Sequence, residues 1–589
     1  MSKIFEIVEK DAAGRIGKLK TPHGVVETPT VMPVINPNLR IIEPAEMKDF
    51  GAEILITNAY IIYNKPELKE KALTDGLHSL IGFDGPIMTD SGSFQLSVYG
   101  DVNVENHEII AFEQAIGTDI GVPLDIPTGP DATYEKARED LDITKKRLAE
   151  ARRLVEETRL RARKSNQTDQ NIQAGQNIQA DQNIQAGQNI QADQNTQTGQ
   201  NTQTDQAGLE KKRGDDMLIA APIQGAAYLD LRAESASFVS DLDFDVYPIG
   251  AVVPLMESYR YEDLVNVIAA VKKNLDPTVP VHLFGAGHPM MFALAVALGC
   301  DLFDSAAYAL YAKGDRYITV NGTYQLDRLK YLPCSCPVCT VHTVQSIRKA
   351  KNKEELLARH NLYVTFEEIR QIKQAINDGK LMELVELRCH SHPQMLNALK
   401  ALYKHADWLE ECDSAVKSTF LECSAESGKR QEVLRYTKRL DRFELRGDIL
   451  IRPAKYNKND IKGKKFDSVL LFKPPFGAYP EELEENYPFN AEVQNIPSRE
   501  SLKTAVENTI RLIRLNPKAK FTFLKGRKIR QEDNDLLEEL KKQCEILGDK
   551  KTDEQEEKSK SKKDKKQKRQ TKKLTKRKIG KQKSKKQKN

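Results

Sequence analysis

The chain has 589 residues, 39% hydrophobic and 30% charged, which suits a water-facing protein long enough for more than one domain. Its net charge of +5 is unevenly spread: residues 551–589 carry 17 Lys and 2 Arg against 5 acidic residues, leaving the other 550 residues net acidic. No run of about 18 apolar residues occurs, and Met1-Ser2-Lys3-Ile4-Phe5-Glu6 opens without the apolar core of a signal peptide, so a membrane span is excluded and the cytoplasm is expected.

Over the first 320 residues, short apolar runs alternate with helical stretches. The runs are Glu53–Thr57, Gly85–Asp90 and Ile120–Asp125, then Met217–Gln224, Val246–Gly250, Val281–Gly285 and Asp301–Asp304. Their apolarity is continuous rather than alternating, as in strands buried on both faces of a parallel sheet. Several end in a polar residue or glycine, where a (β/α)8 barrel gathers its active site. A doubly wound open sheet gives a similar pattern, but no GxGxxG follows a strand and no Walker loop is present. The expected fold is therefore an α/β TIM-type barrel.

Between the third and fourth runs, Asp131–Lys164 is rich in Glu, Lys, Arg and Leu at helical spacing. It leads into a low-complexity insertion over 165–208, whose hexads NIQAGQ, NIQADQ, NIQAGQ, NIQADQ, NTQTGQ and NTQTDQ occupy Asn171–Gln206. They hold too few apolar residues for a solenoid, so a disordered surface loop is expected.

Of the eight cysteines, three crowd into Cys334-Ser335-Cys336-Pro337-Val338-Cys339, and His360 follows 21 positions later. Clustered thiols in a reducing compartment usually hold metal. Three thiolates and one imidazole make a closed tetrahedral zinc site, structural because no position is open to water. His342 and His390 are alternative fourth ligands. The barrel with this inserted zinc subdomain (zinc site 334–360) is assigned to residues 1–365. A smaller α+β domain, with a strand-like stretch at Asp467–Phe472, is assigned to 366–549. Residues 550–589 read as a disordered, Lys-rich tail able to attract polyanions such as RNA.

Asp90 and Asp304 each end an apolar run, and Asp125 ends a third. A carboxylate beside apolar sequence is costly unless it is paired or faces a site, though any one of these could simply cap a helix. Paired carboxylates suit displacement at an anomeric carbon, one attacking and the other handling the leaving-group proton. Gln224-Gly225 ends another run and would offer amide donors and acceptors to a planar heterocycle.

Six segments in register carry a more specific signal. Thr89-Asp90-Ser91-Gly92-Ser93-Phe94-Gln95, Pro123–Pro127, Ala221–Gly225, Gly250–Pro254, Phe303–Ala306 and the C-x-C-x2-C…His cluster resemble the motifs of tRNA-guanine transglycosylases. Val252-Val253-Pro254 and Ser305–Tyr308 resemble the archaeal, tRNA-guanine(15) branch rather than the bacterial queuine branch. The resemblance implies a pentosyltransferase of archaeosine biosynthesis with one structural Zn2+ per chain. Its reaction would exchange guanine at position 15 of the tRNA D-loop for 7-cyano-7-deazaguanine, through a covalent Asp–ribose intermediate. Carried over by motif, Asp304 attacks the ribose and Asp90 moves the proton, although the sequence leaves these two roles interchangeable. Asp125 and Gln224 would bind the base edge, with Gly250 and Ala251 backbone beside them and Phe94 stacking on the ring. A homodimer is expected.

Two departures from the family pattern stand out: the hexad insertion, and no recognisable PUA RNA-binding domain. The tail or a separate PUA-bearing subunit would then grip the tRNA. Three rival readings are an archaeosine synthase, a non-catalytic RNA-binding subunit and a plain glycosidase. The first two would tolerate loss of Asp90 or Asp304, and the third leaves the cysteine cluster and Gln224 unexplained.

Overall fold

The computed structural model describes residues 4–93, 104–186 (side chains to Arg161), 216–454, 465–526 and 529–547. Eight short strands form its centre: β1 (Thr30–Ile35), β2 (Leu55–Asn58), β3 (Ile87–Asp90), β4 (Ile120–Gly121), β5 (Leu218–Ile219), β6 (Tyr247–Ile249), β7 (Val281–Leu283) and β8 (Leu302–Ser305). They pair in parallel in the order β5-β4-β3-β2-β1-β8-β7-β6. The ring closes just past β5, where Ala220 and Ile223 bridge Val246 and Ile249 in parallel. There Ala221 N–H donates to the Val246 carbonyl at 2.9 Å and Ile223 N–H to the Pro248 carbonyl at 2.7 Å. The expected TIM-type barrel is thus present, with helices between its strands.

Seven of the eight strands coincide with the apolar runs read from sequence, two of them running one residue further, to Asn58 and Ser305. The exception is β1, which pairs with both β2 and β8. Pro29 precedes it and Pro33 sits inside it, and proline ordinarily argues against a central strand because it cannot donate to the ladder.

Period-two alternation decides which residues look inward. Met32, Ile54, Ile56, Met88, Ile120, Val122, Leu218, Ala220, Val246 and Leu302 make one buried cluster together with Phe5, Leu19 and Val26. Those last three belong to an N-terminal antiparallel sheet of Phe5–Asp11, Gly14–Thr21 and Gly24–Thr28. The sheet therefore packs on the barrel interior at the end where the strands begin. Two residues beyond Met88 and Leu302 on the same faces come Asp90 and Asp304, at the opposite end. A much larger outer cluster joins the barrel to its surrounding helices.

The helix expected over 131–164 spans Tyr134–Ala186 and continues through the first hexads, where the sequence reading placed a loop. Ala and Gln are good helix formers, the repeats lack proline, and an isolated glycine costs a helix only about 1 kcal/mol. The remaining hexads, like the Lys-rich tail, lie outside the described residues.

The chain divides into compact units at Ser414/Ala415 rather than at 365. Residue 365 falls inside the helix Lys353–Asn377, and the next helices, Leu381–Cys389 and Pro393–Leu402, bury Leu381, Met382, Val385, Met395 and Leu399 in the barrel's outer cluster. Charged sequence on their exposed faces disguised that attachment. In the second unit, strands 447–453, 468–473, 477–480, 519–524 and 545–547 form one sheet, parallel except for the 468–473/477–480 pair. The helix Arg499–Leu515 covers it, over a core that includes Phe420, Phe472, Phe476, Phe489 and Phe523. Among the described residues no helix is long and apolar enough to cross a membrane.

Candidate active site and metal centre

Asp90 ends β3 and Asp304 lies in β8, both at the carboxyl ends of the strands. Neither environment is apolar. Asp90 accepts a 2.9 Å hydrogen bond from Asn58 Nδ2 and a longer one, 3.4 Å, from the Gly92 amide. Asn58 ends β2 directly opposite Asp90. Its Oδ1 caps the following helix by accepting from Ile61 N–H at 2.8 Å, which turns its amide nitrogen toward the carboxylate. Burial first, then the negative charges of Asp125 and Asp304, push the Asp90 carboxyl up to about 7, against the opposing pull of Gly92 and Asn58.

Asp304 is buried and serves no helix as a cap; the next helix, Ala307–Lys313, is capped at Ala306 without a side-chain bond. Instead its Oδ1 accepts from the Gly285 amide at 2.6 Å and from His282 Nε2–H at 2.9 Å. His282 is fully buried in β7, and its Nδ1 has no hydrogen-bond partner among the described residues.

The next two strand ends build a polar cradle. Ser91 and Ser93, following β3, tie that loop to the one after β4: Ser91 Oγ donates to the Pro123 carbonyl at 3.2 Å, and Asp125 N–H donates to Ser93 Oγ at 3.0 Å. Asp125 in turn accepts a short bond from Gln224 Nε2. Burial raises the Asp125 carboxyl above its usual range, against hydrogen bonds from Ser93 and Gln224. Gln224 is itself buried, and its Oε1 has no partner among the described residues.

Gly250 and Ala251 follow β6. A Cβ on Gly250 would lie 2.2 Å from Gln224 Nε2, so only glycine lets that amide lie against the main chain. Ala251 adopts φ of 56°, a left-handed conformation that a non-glycine residue holds only when its surroundings compensate. Gly250→Ala is expected to swing Gln224 off Asp125 and raise the KM for the incoming base about 10- to 100-fold, matching a cost of about 1–3 kcal/mol for an unpaired buried polar group. Steady-state kinetics at saturating tRNA would check this, and an unchanged KM would mean that Gln224 does not touch the base. Phe94 lies outside the described residues.

Behind the cradle Arg232 is wholly buried, and burial lowers its guanidinium to about 9. It donates to the carbonyls of Ile223 (2.6 Å) and Ala226 (2.9 Å), pinning the backbone on both sides of Gln224-Gly225. Glu113, also buried, accepts from Thr89 Oγ1 at 2.7 Å and from Val122 N–H at 3.2 Å beneath Asp90. Asn58, His282, Arg232 and Glu113 were not singled out in the sequence. His282 alone left a trace there, an imidazole inside an apolar run; the others sit in ordinary helical or strand-end contexts.

The four candidate zinc ligands come together, with one ligand atom from each of Cys334, Cys336, Cys339 and His360 lying within 4.8 Å of the rest. Cys336 Sγ and Cys339 Sγ stand 3.5 and 3.3 Å from His360 Nδ1. Those spacings suit ligands on one ion bonded at about 2.3 Å to sulfur and 2.0–2.1 Å to nitrogen. His360 Nε2–H donates to the Ile318 carbonyl at 2.9 Å, leaving Nδ1 free to bind, and the Tyr317 ring stacks on the imidazole at 3.6 Å. Three thiolates this close would repel one another without a cation between them, so the donor set fits a closed metal site. The alternatives fall away on geometry: His342 is half-buried with its Nδ1 beside Ser346 Oγ, and His390 Nδ1 bonds the Glu386 carbonyl.

A family model described as queuine tRNA-ribosyltransferase matches residues 10–184 and 178–394. Proteins named tRNA-guanine(15) transglycosylase are similar over nearly the whole chain. The one from Methanosarcina barkeri is 55% identical over 548 residues, covering 93% of this chain and 98% of that protein. Its counterpart in Haloferax volcanii is 44% identical over 555 residues (92% and 96%), and that of Archaeoglobus fulgidus 42% over 522 residues (88% and 94%). A barrel with carboxylates at its strand ends, a cysteine-histidine centre and end-to-end likeness to these relatives lead to one conclusion: the chain belongs to the tRNA-guanine(15) transglycosylase family of pentosyltransferases, enzymes that modify tRNA by transglycosylation.

Proposed function

We propose that the chain exchanges guanine at position 15 of the tRNA D-loop for 7-cyano-7-deazaguanine, in archaeosine biosynthesis, by double displacement. An Asp304 oxygen attacks the ribose C1′ as the C1′–N9 bond breaks, and the departing guanine takes its proton from Asp90. The incoming base then attacks C1′, giving its N9 proton to Asp90, while the ester bond breaks and returns Asp304 to a carboxylate. The observation that carries this division of labour is the contrast between the two sites. Asp304 is held by two donors in a fixed direction, as a nucleophile requires. Asp90, lifted to about 7, holds or releases a proton near neutrality, as an acid-base group requires. Asp125 and the free Gln224 Oε1 would read the base edge, and Phe94 would stack on the ring. One Zn2+ held by Cys334, Cys336, Cys339 and His360 would act as a structural tie. The Lys-rich tail, or a separate PUA-bearing subunit, would supply non-specific grip on tRNA, and a homodimer is the proposed assembly.

Release of radiolabelled guanine from tRNA, dependent on added 7-cyano-7-deazaguanine, tests the reading. No release by the zinc-loaded protein, alone or with cell extract, would overturn it. Asp90 adds a stability signature. Its folded pKa lies above the unfolded carboxyl value, so its contribution is intact below about pH 4 and is lost as pH rises through about 7. Asp90→Asn should therefore melt higher than the parent at pH 8, with the gap closing toward pH 4, while exchange activity falls about 10²- to 10⁴-fold. Thermal melts across that range would check it, and a pH-independent gap would contradict the raised pKa.

A further inference from the structure

We infer that His23, His78 and Asp119 form a second cation site, at the end of the barrel opposite the carboxylates, for a borderline divalent ion such as zinc. The three come from separate segments. His23 sits in the turn between strands Gly14–Thr21 and Gly24–Thr28, His78 on the short helix Leu77–Ile81, and Asp119 immediately before β4. One ligand atom from each lies within 4.8 Å of the others.

Asp119 is fully buried and oriented in advance. Its Oδ1 accepts the His23 amide at 2.9 Å, and its Oδ2 accepts the Ile87 amide at 2.8 Å. The same two oxygens face His23 Nδ1 and His78 Nε2, each at 2.9 Å. Ligands bonded to one ion at about 2.0–2.1 Å stand about 3.3 Å apart at the tetrahedral angle, so an opening of a few tenths of an ångström would admit zinc. Main-chain donors that fix a ligating carboxylate are the usual outer support of a metal site.

The two imidazoles lie with their ring centroids 3.7 Å apart and the ring planes tilted by 31°. As neutral ligands, each with its proton on the far nitrogen, they would present two nitrogens and a carboxylate, a set suited to zinc, nickel or copper. The His23 side chain is 45% exposed, leaving room for water to complete the shell. A cleft of about 550 Å³, lined by Lys48, His78, Gly82, Phe83 and Asp84 among others, gives an approach beside His78. An ion here would tie the N-terminal sheet to the floor of the barrel, and its place at the strands' starting ends speaks for stability rather than chemistry.

Zinc counting on the full chain decides the matter. Chelator-stripped protein is titrated with zinc, and bound metal is measured by atomic emission. The expected result is about two equivalents for the parent and about one for His23→Ala and for His78→Ala. With cobalt, the equivalent lost in the variants should be the one without thiolate charge-transfer absorption. Melting temperature should rise with zinc beyond the first equivalent in the parent only. His23 lies on an exposed turn, so its variant keeps the test valid even if His78→Ala folds poorly. Saturation of the parent at one equivalent, or a second equivalent that persists in both variants, would overturn the site.

Discussion

Asn in place of Asp304 is expected to abolish base exchange, lowering kcat by about 10⁴-fold or more while leaving the fold intact. The substitution keeps the shape of the side chain and its place beside Gly285 N–H and His282 Nε2–H, but an amide cannot supply the electron pair that the proposed attack on C1′ requires. A second readout separates nucleophile from proton carrier. The parent, incubated with tRNA and quenched in detergent, should yield a protein–tRNA adduct stable to denaturation, and the Asp304 variant should yield none. If that variant still forms the adduct and Asp90→Asn does not, the two roles are reversed. Both carboxylates face the same barrel mouth, and the charge of Asp304 already acts on Asp90, so neither substitution is silent for the other.

Removing the metal centre is expected to have the largest effect on stability. The region that the proposed ion would organise is small: a hairpin of Arg316–Thr319 and Gly322–Gln325, and the five-residue helix Pro337–Val341, set against the helix that carries His360. Structural zinc contributes on the order of 10 kcal/mol to folding in small cysteine-rich modules. That exceeds what so few residues can bury by themselves. His360→Ala should therefore release the ion, expose residues 316–349 to proteolysis and lower the melting temperature, with the barrel strands intact by far-ultraviolet circular dichroism. Metal analysis with limited proteolysis and mass spectrometry would check it. A variant that loses the metal yet resists cleavage as the parent does would show that the packing of Val338, Val344 and Ile347 holds this region without the ion.

Continuous apolar runs determined seven barrel strands because a strand buried on both faces leaves no polar alternation to misread. The carboxylates at the ends of those runs and the spacing of the cysteines were legible for the same local reason: their chemistry is carried by residue type at short range. The strand Thr30–Ile35 escaped because proline statistics describe average strands, whereas here the ring places strands on both sides of Pro33. The hexads misled in the opposite direction, since low complexity describes a lack of core-forming residues, not a lack of helix propensity.

What only the tertiary structure decided are the relations across the ring. Asn58 meets Asp90 because β2 and β3 are in register. His282 meets Asp304 because β7 and β8 are neighbours, and Gln224 meets Asp125 across 99 positions of sequence. The unit boundary at Ser414 belongs to the same class, set by helices whose apolar faces are covered by the barrel. Residue type is written in the chain, but the field at Asp90 depends on how far other charges stand from it, and only closing the barrel sets those distances.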